Sequence, residues 1–150
     1  MSPNIRHVQP TDSPIDEIPC QDILDTLPEF ICRYNTNAII TYVNIPYCRL
    51  FDKSRKELIG QSIFNFAPPQ AHSHLGQVMT RIPRDAQPFE HPVYMPNGEV
   101  RWHQWIDQTI VDSDGQVIAF QAIGRDITDR KRAEEAHARS EARYHLLAHN

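Results

Sequence analysis

Apolar residues recur at helical spacing between Asp16 and Leu27, at Ile18, Ile23, Leu24 and Leu27. The spacing predicts a short amphipathic helix over 16–27, broken near Pro19 and ended before Pro28. Residues 1–15 are polar and carry Pro3, Pro10 and Pro14, so they are expected to bury little and to stay disordered. The period then shortens to two. "EFICRYNTNAIITYVN", residues 29–44, reads as a hairpin in which β-branched and aromatic runs flank the polar turn Asn35-Thr36-Asn37. "IPYCRLF" and "SRKELIG" each suit a helix of a turn or two, the second with Ser54 as N-cap and Gly60 at its end. "SIFNF", near residues 62–66, is a short apolar stretch. "PPQAHSHLGQVMTRI" opens with proline at a helix start and places Leu75, Val78, Met79 and Ile82 on one side.

The second half alternates over long stretches. "QPFEHPVYM", "EVRWHQWIDQTIV" and "QVIAFQAIGRDI" predict three strands, joined by turns at Pro96-Asn97-Gly98 and Asp112-Ser113-Asp114-Gly115. Trp102 and Trp105 must face opposite sides of their strand. Trp102 shares its face with Ile106 and Ile110, which assigns it to the core side. Gln104 interrupts that face, as a donor to a ligand or to a helix or buried water. From Thr128 to Ala148 there is neither proline nor glycine, and a charged helix is expected, with Thr128 as N-cap and Asp129 at its positive end. Ala133, Ser140 and Leu147 fall every seven residues, with His137 and Tyr144 between them. So sparse a seam makes a weak coiled coil or a solvated helix. Two hairpins with helices between them predict an α+β domain, a five-stranded antiparallel sheet with short helices on one face. The expected organisation is a disordered 1–15, a helix over 16–27, the domain over 28–127 and a linker helix over 128–150.

Composition narrows the function. The chain has 150 residues, 40% hydrophobic and 23% charged, with formal charge −4, which is ordinary for a soluble domain and argues against general nucleic-acid binding. No run is long enough for a membrane span, and the N-terminus lacks the apolar core of a signal peptide. Cys20, Cys32 and Cys48 match no zinc or redox spacing, so free thiols in a cytoplasmic protein are expected. His72 and His74, two apart, point to different sides of a helix and make a poor metal pair. Glu90 and His91, being adjacent, face opposite sides of a strand and make no acid–base pair by themselves. No phosphate loop or nucleophile elbow is present, so no catalytic role is expected.

"ITYVN", "YCRLF" and "SRKELIGQS", followed by "MPNGEVRWHQWIDQTIVDSDGQVIAFQAIGRDITDRKRAEE", resemble a PAS sensor domain over residues 24–135. The resemblance is to PAS domains of bacterial sensor histidine kinases and diguanylate cyclases. It implies a sensory and dimerisation module whose last strand feeds a signalling helix through Asp126, Ile127 and Thr128. Thr128 would cap that helix, and Asp126 would bond Trp102 or an arginine. A small molecule held between the sheet and the helix over 69–82 would meet Trp102, Gln104, Ile106, Val78, Met79 and Tyr42. Homodimerisation would use the N-terminal helix and the tail. "SEARYHLLAHN" resembles the start of a second PAS domain, so downstream domains of the same chain are expected partners. One alternative is a ligand-free spacer. Another is a haem-based gas sensor, because oxygen-sensing relatives ligate iron through a histidine near the position of His74. Those sensors, however, use an arginine on the strand that here reads "QPFEHPVYM". The light-sensing flavin relatives carry an Asn-Cys-Arg-Phe block where this chain reads "GQSIFNF", so flavin photochemistry is not expected, and Cys48 is read as a small buried hydrophobe. The family often has Asp-Gly in its first hairpin turn. Here the pair is Asn37-Ala38, and a positive φ at Ala38 would cost about 1 kcal/mol.

Overall fold

The computed structural model describes residues 20–80 and 88–148. The disorder expected for 1–15, the first residues of the helix expected over 16–27, and Ile82 lie outside them. Helix α1 spans Cys20–Thr26, β1 Phe30–Asn35, β2 Ile40–Val43, α2 Ile45–Phe51 and α3 Arg55–Leu58. A single 3-10 turn at Ile63–Asn65 precedes α4, Pro69–Thr80. Strands β3, Phe89–Tyr94, β4, Val100–Val111, and β5, Val117–Asp126, follow, and α5 is Thr128–Ala148. All strand pairs are antiparallel in the order β2-β1-β5-β4-β3, so β5 returns to the centre of the sheet beside β1.

The helical segments form where the sequence supplies caps. Ser54 and Glu57 make a reciprocal capping box on α3. Asn44 caps α2 and does more: its Oδ1 accepts from Ile31 N (2.9 Å) and Tyr47 N (3.1 Å), and its Nδ2 donates to the carbonyls of Leu24 and Glu29, both at 2.9 Å. One fully buried amide thereby joins α1, β1 and α2 with every donor and acceptor used. The Asp25–Arg55 ion pair closes the same corner. In the first hairpin Ala38 has φ 64°, so the strained turn is the one adopted. Its cost of about 1 kcal/mol is met by burial of the methyl and by Asn35 Oδ1, which accepts from Asn37 N and Ile39 N.

The core lies between the inner face of the sheet and helices α2 to α4. Cys32, Tyr34, Ile40, Val43, Tyr47 and Leu58 are fully or almost fully buried there, and Tyr34 stacks on Phe120 at 5.4 Å. Side chains of this size each stabilise the fold by roughly 1.5–3 kcal/mol when buried. Cross-strand register fixes the two faces. Phe30, Gly124 and Trp105 form one inward row, and Cys32, Ala122 and Asp107 the next. Ile31, Ile123 and Ile106 form the matching outward row. The inward aromatic on β4 is therefore Trp105, packed near Tyr47 and Phe30. Trp102, expected on the core side, stands on the outer face. The outer face is the more continuously apolar one, and the inner face of β4 carries His103 and Asp107 because it lines a cavity.

Candidate ligand cavity and the sheet-to-helix joint

A cavity of about 480 Å³ lies between the sheet and helices α2 and α4. Its walls are mainly apolar, including Tyr47, Phe51, Phe66, Leu75, Phe89 and Trp105. Three histidines and an aspartate converge on it: His74 from α4, His91 from β3, and His103 and Asp107 from β4. Each arrives for a local reason. His91 and His103 are cross-strand partners and face inward together, with rings 6.1 Å apart. Asp107 follows His103 at even spacing and stays on the inner face. His74 reaches across from the helix, with Nε2 3.2 Å from Asp107 Oδ2 and its ring stacked on Phe89 at 4.8 Å.

Burial dominates the electrostatics here. It pushes the Asp107 carboxyl up, against the opposing pull of His74 and of the Tyr34 hydroxyl, which donates to Oδ1 at 3.3 Å. It holds His91 and His103 below the ordinary imidazole range, so both favour the neutral ring. His91 Nδ1 lies 3.1 Å from the Pro92 carbonyl, while its Nε2 is buried without a partner among the described residues. Trp105 keeps its place because its partner is Gly124. A Cβ there would stand 2.6 Å from the indole ring.

Of the residues expected to line a pocket, none of the six does. Trp102, Gln104 and Ile106 belong to the outer face. Val78 and Met79 pack against the core beside the cavity. Tyr42, on β2, lies near Asp25 and Arg55. His74 alone among the candidate site residues lies on the wall. A haem ligated by His74 does not fit this arrangement. The Nε2 atom is turned to Asp107, Phe89 covers the ring face, and no arginine or lysine among the described lining residues could meet the propionates. The reading from the residues missed His91, His103, Trp105 and Gly124. Residues 103, 105 and 107 share one parity, but the core side was assigned to the opposite face, on Trp102, Ile106 and Ile110.

The joint at the end of β5 is tightly bonded. Asp126 Oδ1 accepts from the Thr128 amide (2.9 Å) and hydroxyl (2.6 Å), and Oδ2 accepts from Arg101 Nε at 2.6 Å. Burial opposes ionisation of Asp126, but the bonds from Arg101 and Thr128 outweigh it and hold the carboxyl below its usual range. Thr128 Oγ1 also accepts from Trp102 N at 2.9 Å, and Ile127 N donates to Trp102 O at 2.8 Å. Thr128, expected as the N-cap, is instead the first residue of α5, and its hydroxyl ties helix to β4. Ile127 O accepts the first helical bond, from Lys131 N, and Asp126 meets the Thr128 amide. Arg101 is the arginine that Asp126 bonds. On the outer face Glu90 reaches Lys131 (2.6 Å), Arg130 (2.7 Å) and Gln104 (3.0 Å), and Lys131 lies 4.9 Å from the centre of the Trp102 ring. Gln104 is thus committed to Glu90. No helix among the described residues is long and apolar enough to cross a membrane.

A five-stranded antiparallel sheet with a helix-covered cavity on one face, and a helix leaving the central strand, is the α+β architecture of PAS domains. A model of the PAS fold matches residues 20–127, and the chain belongs to that family. It is 26% identical over 115 residues to the two-component sensor PprA of Pseudomonas aeruginosa, a match covering 75% of this chain and 12% of that protein. The chain therefore spans a small part of the curated relative it matches. Among solved structures it is similar to the PAS domain of a Colwellia psychrerythraea protein, with TM-score 0.61 and 20% identity over 72% of this chain and 93% of that one. It is also similar to a sensory box histidine kinase/response regulator from Burkholderia thailandensis, with TM-score 0.59 and 21% identity over 85% and 98%. The family match shows a PAS domain, and the proteins it is similar to include a two-component sensor and a sensory box histidine kinase.

Proposed function

We propose that this PAS domain senses a small molecule in its cavity and passes the bound state through β3, β4 and the Asp126-Ile127-Thr128 joint to α5 and a following domain. The observation that carries the reading is the cavity itself. Its volume of about 480 Å³ falls in the range of ligand sites, and its walls are apolar with a few converging polar groups. A ligand-free spacer has no use for such a space, which leaves polar atoms facing it. The wall strand β4 also shares two hydrogen bonds at Trp102 with the start of α5 and its lead-in, one donated by Trp102 N and one accepted by its carbonyl, so movement of β4 has a direct mechanical route to the helix.

The second part of the proposal is a homodimer formed through α1 and α5. Ile23 and Leu27 are exposed on or beside α1, and Tyr144, Leu146 and Leu147 are at least 70% exposed on α5. A downstream histidine kinase or diguanylate cyclase is the output proposed for the longer protein.

Native mass spectrometry of the protein as purified tests both parts. The expected spectrum shows a dimer, with added non-covalent mass that is lost in the Ala122→Phe variant, whose ring fills the cavity. A monomer overturns the dimer. Added mass that persists in a folded Ala122→Phe protein overturns the cavity as the site. A wild type with no added mass, and no thermal shift from a metabolite library, supports the spacer.

A further inference from the structure

We propose that α4 is the gate through which the cavity fills, opening by local loosening at Gly76 and latched shut by the bond between His74 and Asp107. This rests on the ligand-binding reading above and names the element that regulates access to the same site.

A molecule cannot reach the deep wall unless something moves, because Tyr47, Asp107 and Ala122 are 2%, 4% and 5% exposed. The elements that enclose the cavity differ in how they are tied down. The sheet is a continuous antiparallel ladder from β1 through β5 and β4 to β3. Helix α2 is anchored by Asn44, whose buried amide joins it to α1 and β1. Helix α4 has neither kind of anchor. Of its twelve residues only Ala71 and Leu75 are buried. Among the described residues a single side-chain hydrogen bond joins it to the sheet, between His74 Nε2 and Asp107 Oδ2 at 3.2 Å. The His72 ring lies instead 3.0 Å from the carbonyl of Ala67, just before the helix, and the Thr80 hydroxyl bonds back to the carbonyls of Gly76 and Gln77. An element with few buried contacts and few outside bonds is the first to open.

Gly76 is an independent observation on the same helix. It stands inside α4, two residues after His74. Glycine weakens a helix interior, because it loses more backbone freedom on folding than any other residue. Nothing steric demands it here, since a Cβ at this position would meet no atom within 4 Å. Gly124 is the opposite case, where the indole of Trp105 leaves no room for one. An interior glycine without a packing reason is a soft point, and this one adjoins the latch. Gly76 is not a wall residue, so a substitution there changes the gate without changing the site.

The test pairs amide exchange with stopped-flow binding of N-phenyl-1-naphthylamine, an uncharged apolar fluorophore, to the whole chain freed of any co-purified ligand. In the wild type, exchange over residues 73–80 should be faster than over residues 103–109. Gly76→Ala should slow α4 exchange about fivefold, the factor by which a helix favours alanine over glycine, and should slow entry and exit of the probe by the same factor with Kd held within about twofold. His74→Leu should act in the opposite sense, quickening α4 exchange and both rates while protection over β5 stays at the wild-type level. A gate changes both rates alike, whereas loss of a wall contact chiefly changes exit. Wild-type probe kinetics in Gly76→Ala, or a His74→Leu protein in which exit alone is faster, overturns the gate while leaving the cavity a ligand site. A probe that does not bind, or that binds undiminished to a folded Ala122→Phe protein, overturns the ligand-site reading and the gate with it.

Discussion

Gly124 shows how a single absent atom shapes the site. It lies on β5 opposite Trp105, and a Cβ there would stand 2.6 Å from the indole. Such a distance requires the ring to move, and the room available is the cavity. Gly124→Ala should therefore destabilise the fold by about 1–3 kcal/mol, the usual cost of overpacking. It should also shrink the cavity and shift the Trp105 emission. Urea unfolding and fluorescence of the variant, with Trp102→Phe as background so that one indole reports, check both. An unchanged midpoint and spectrum would mean that Trp105 does not rest on Gly124. From sequence the glycine reads only as part of "IGRDI", since its partner lies on another strand. His91 is a similar case: parity sets it opposite Glu90, but neither the side that looks inward nor its unpaired nitrogen was legible.

At the scale of elements, Glu90 pins the start of α5 to the sheet. It stands next to His91 on β3 and faces the other way, so a residue at the cavity and a residue on the helix share one stretch of backbone. Exposed ion pairs are individually worth at most about 1 kcal/mol, but Glu90 is partly buried and has three partners. Its carboxyl is held at about 2, first by Lys131 and then by Arg130. A folded-state value below the unfolded one of about 4.3 stabilises fully above that value and is lost as pH falls towards 2. Glu90→Gln should therefore speed amide exchange over residues 129–134 several-fold at pH 7 while lowering global stability by roughly 1 kcal/mol. In wild type the same exchange contrast, corrected for intrinsic rates, should appear only as pH falls below about 4. Unaltered protection in the variant would show that the hydrogen bonds of Thr128 and Ile127 hold the helix alone.

At the scale of the whole molecule, burial of two neutral histidines makes stability depend on pH. His91 and His103 have folded-state values below the unfolded one of about 6.5. As pH falls through that value the unfolded chain takes up protons that the folded chain resists, so stability declines. Asp107 acts in the opposite sense, because its raised carboxyl weakens the fold above about 3.9 and that cost is relieved as pH falls. The urea midpoint is expected to drop between pH 7.5 and 5.5, and to drop less in His103→Gln, which isolates the histidine share. Equal pH dependence in the two proteins would remove His103 from the account.

The sequence by itself determined the elements and their order. Strand alternation, the Asn-Gly and Asp-Gly turns, the Ser54 capping box and the proline opening α4 are local signals, and each element formed where its own residues direct it. It also located the joint at Asp126-Ile127-Thr128, though not which atom bonds which. Only the tertiary structure decided which face of β4 looks inward. A period of two groups Trp102 with Ile106 and Trp105 with Asp107, but it cannot say which group meets the helices. The more polar face turned inward because it borders a cavity, where His103 and Asp107 find His91, His74 and Tyr34. Those partners come from three other elements, β3, α4 and β1, so no local pattern contains them, and the site exists only once the sheet and α4 have packed.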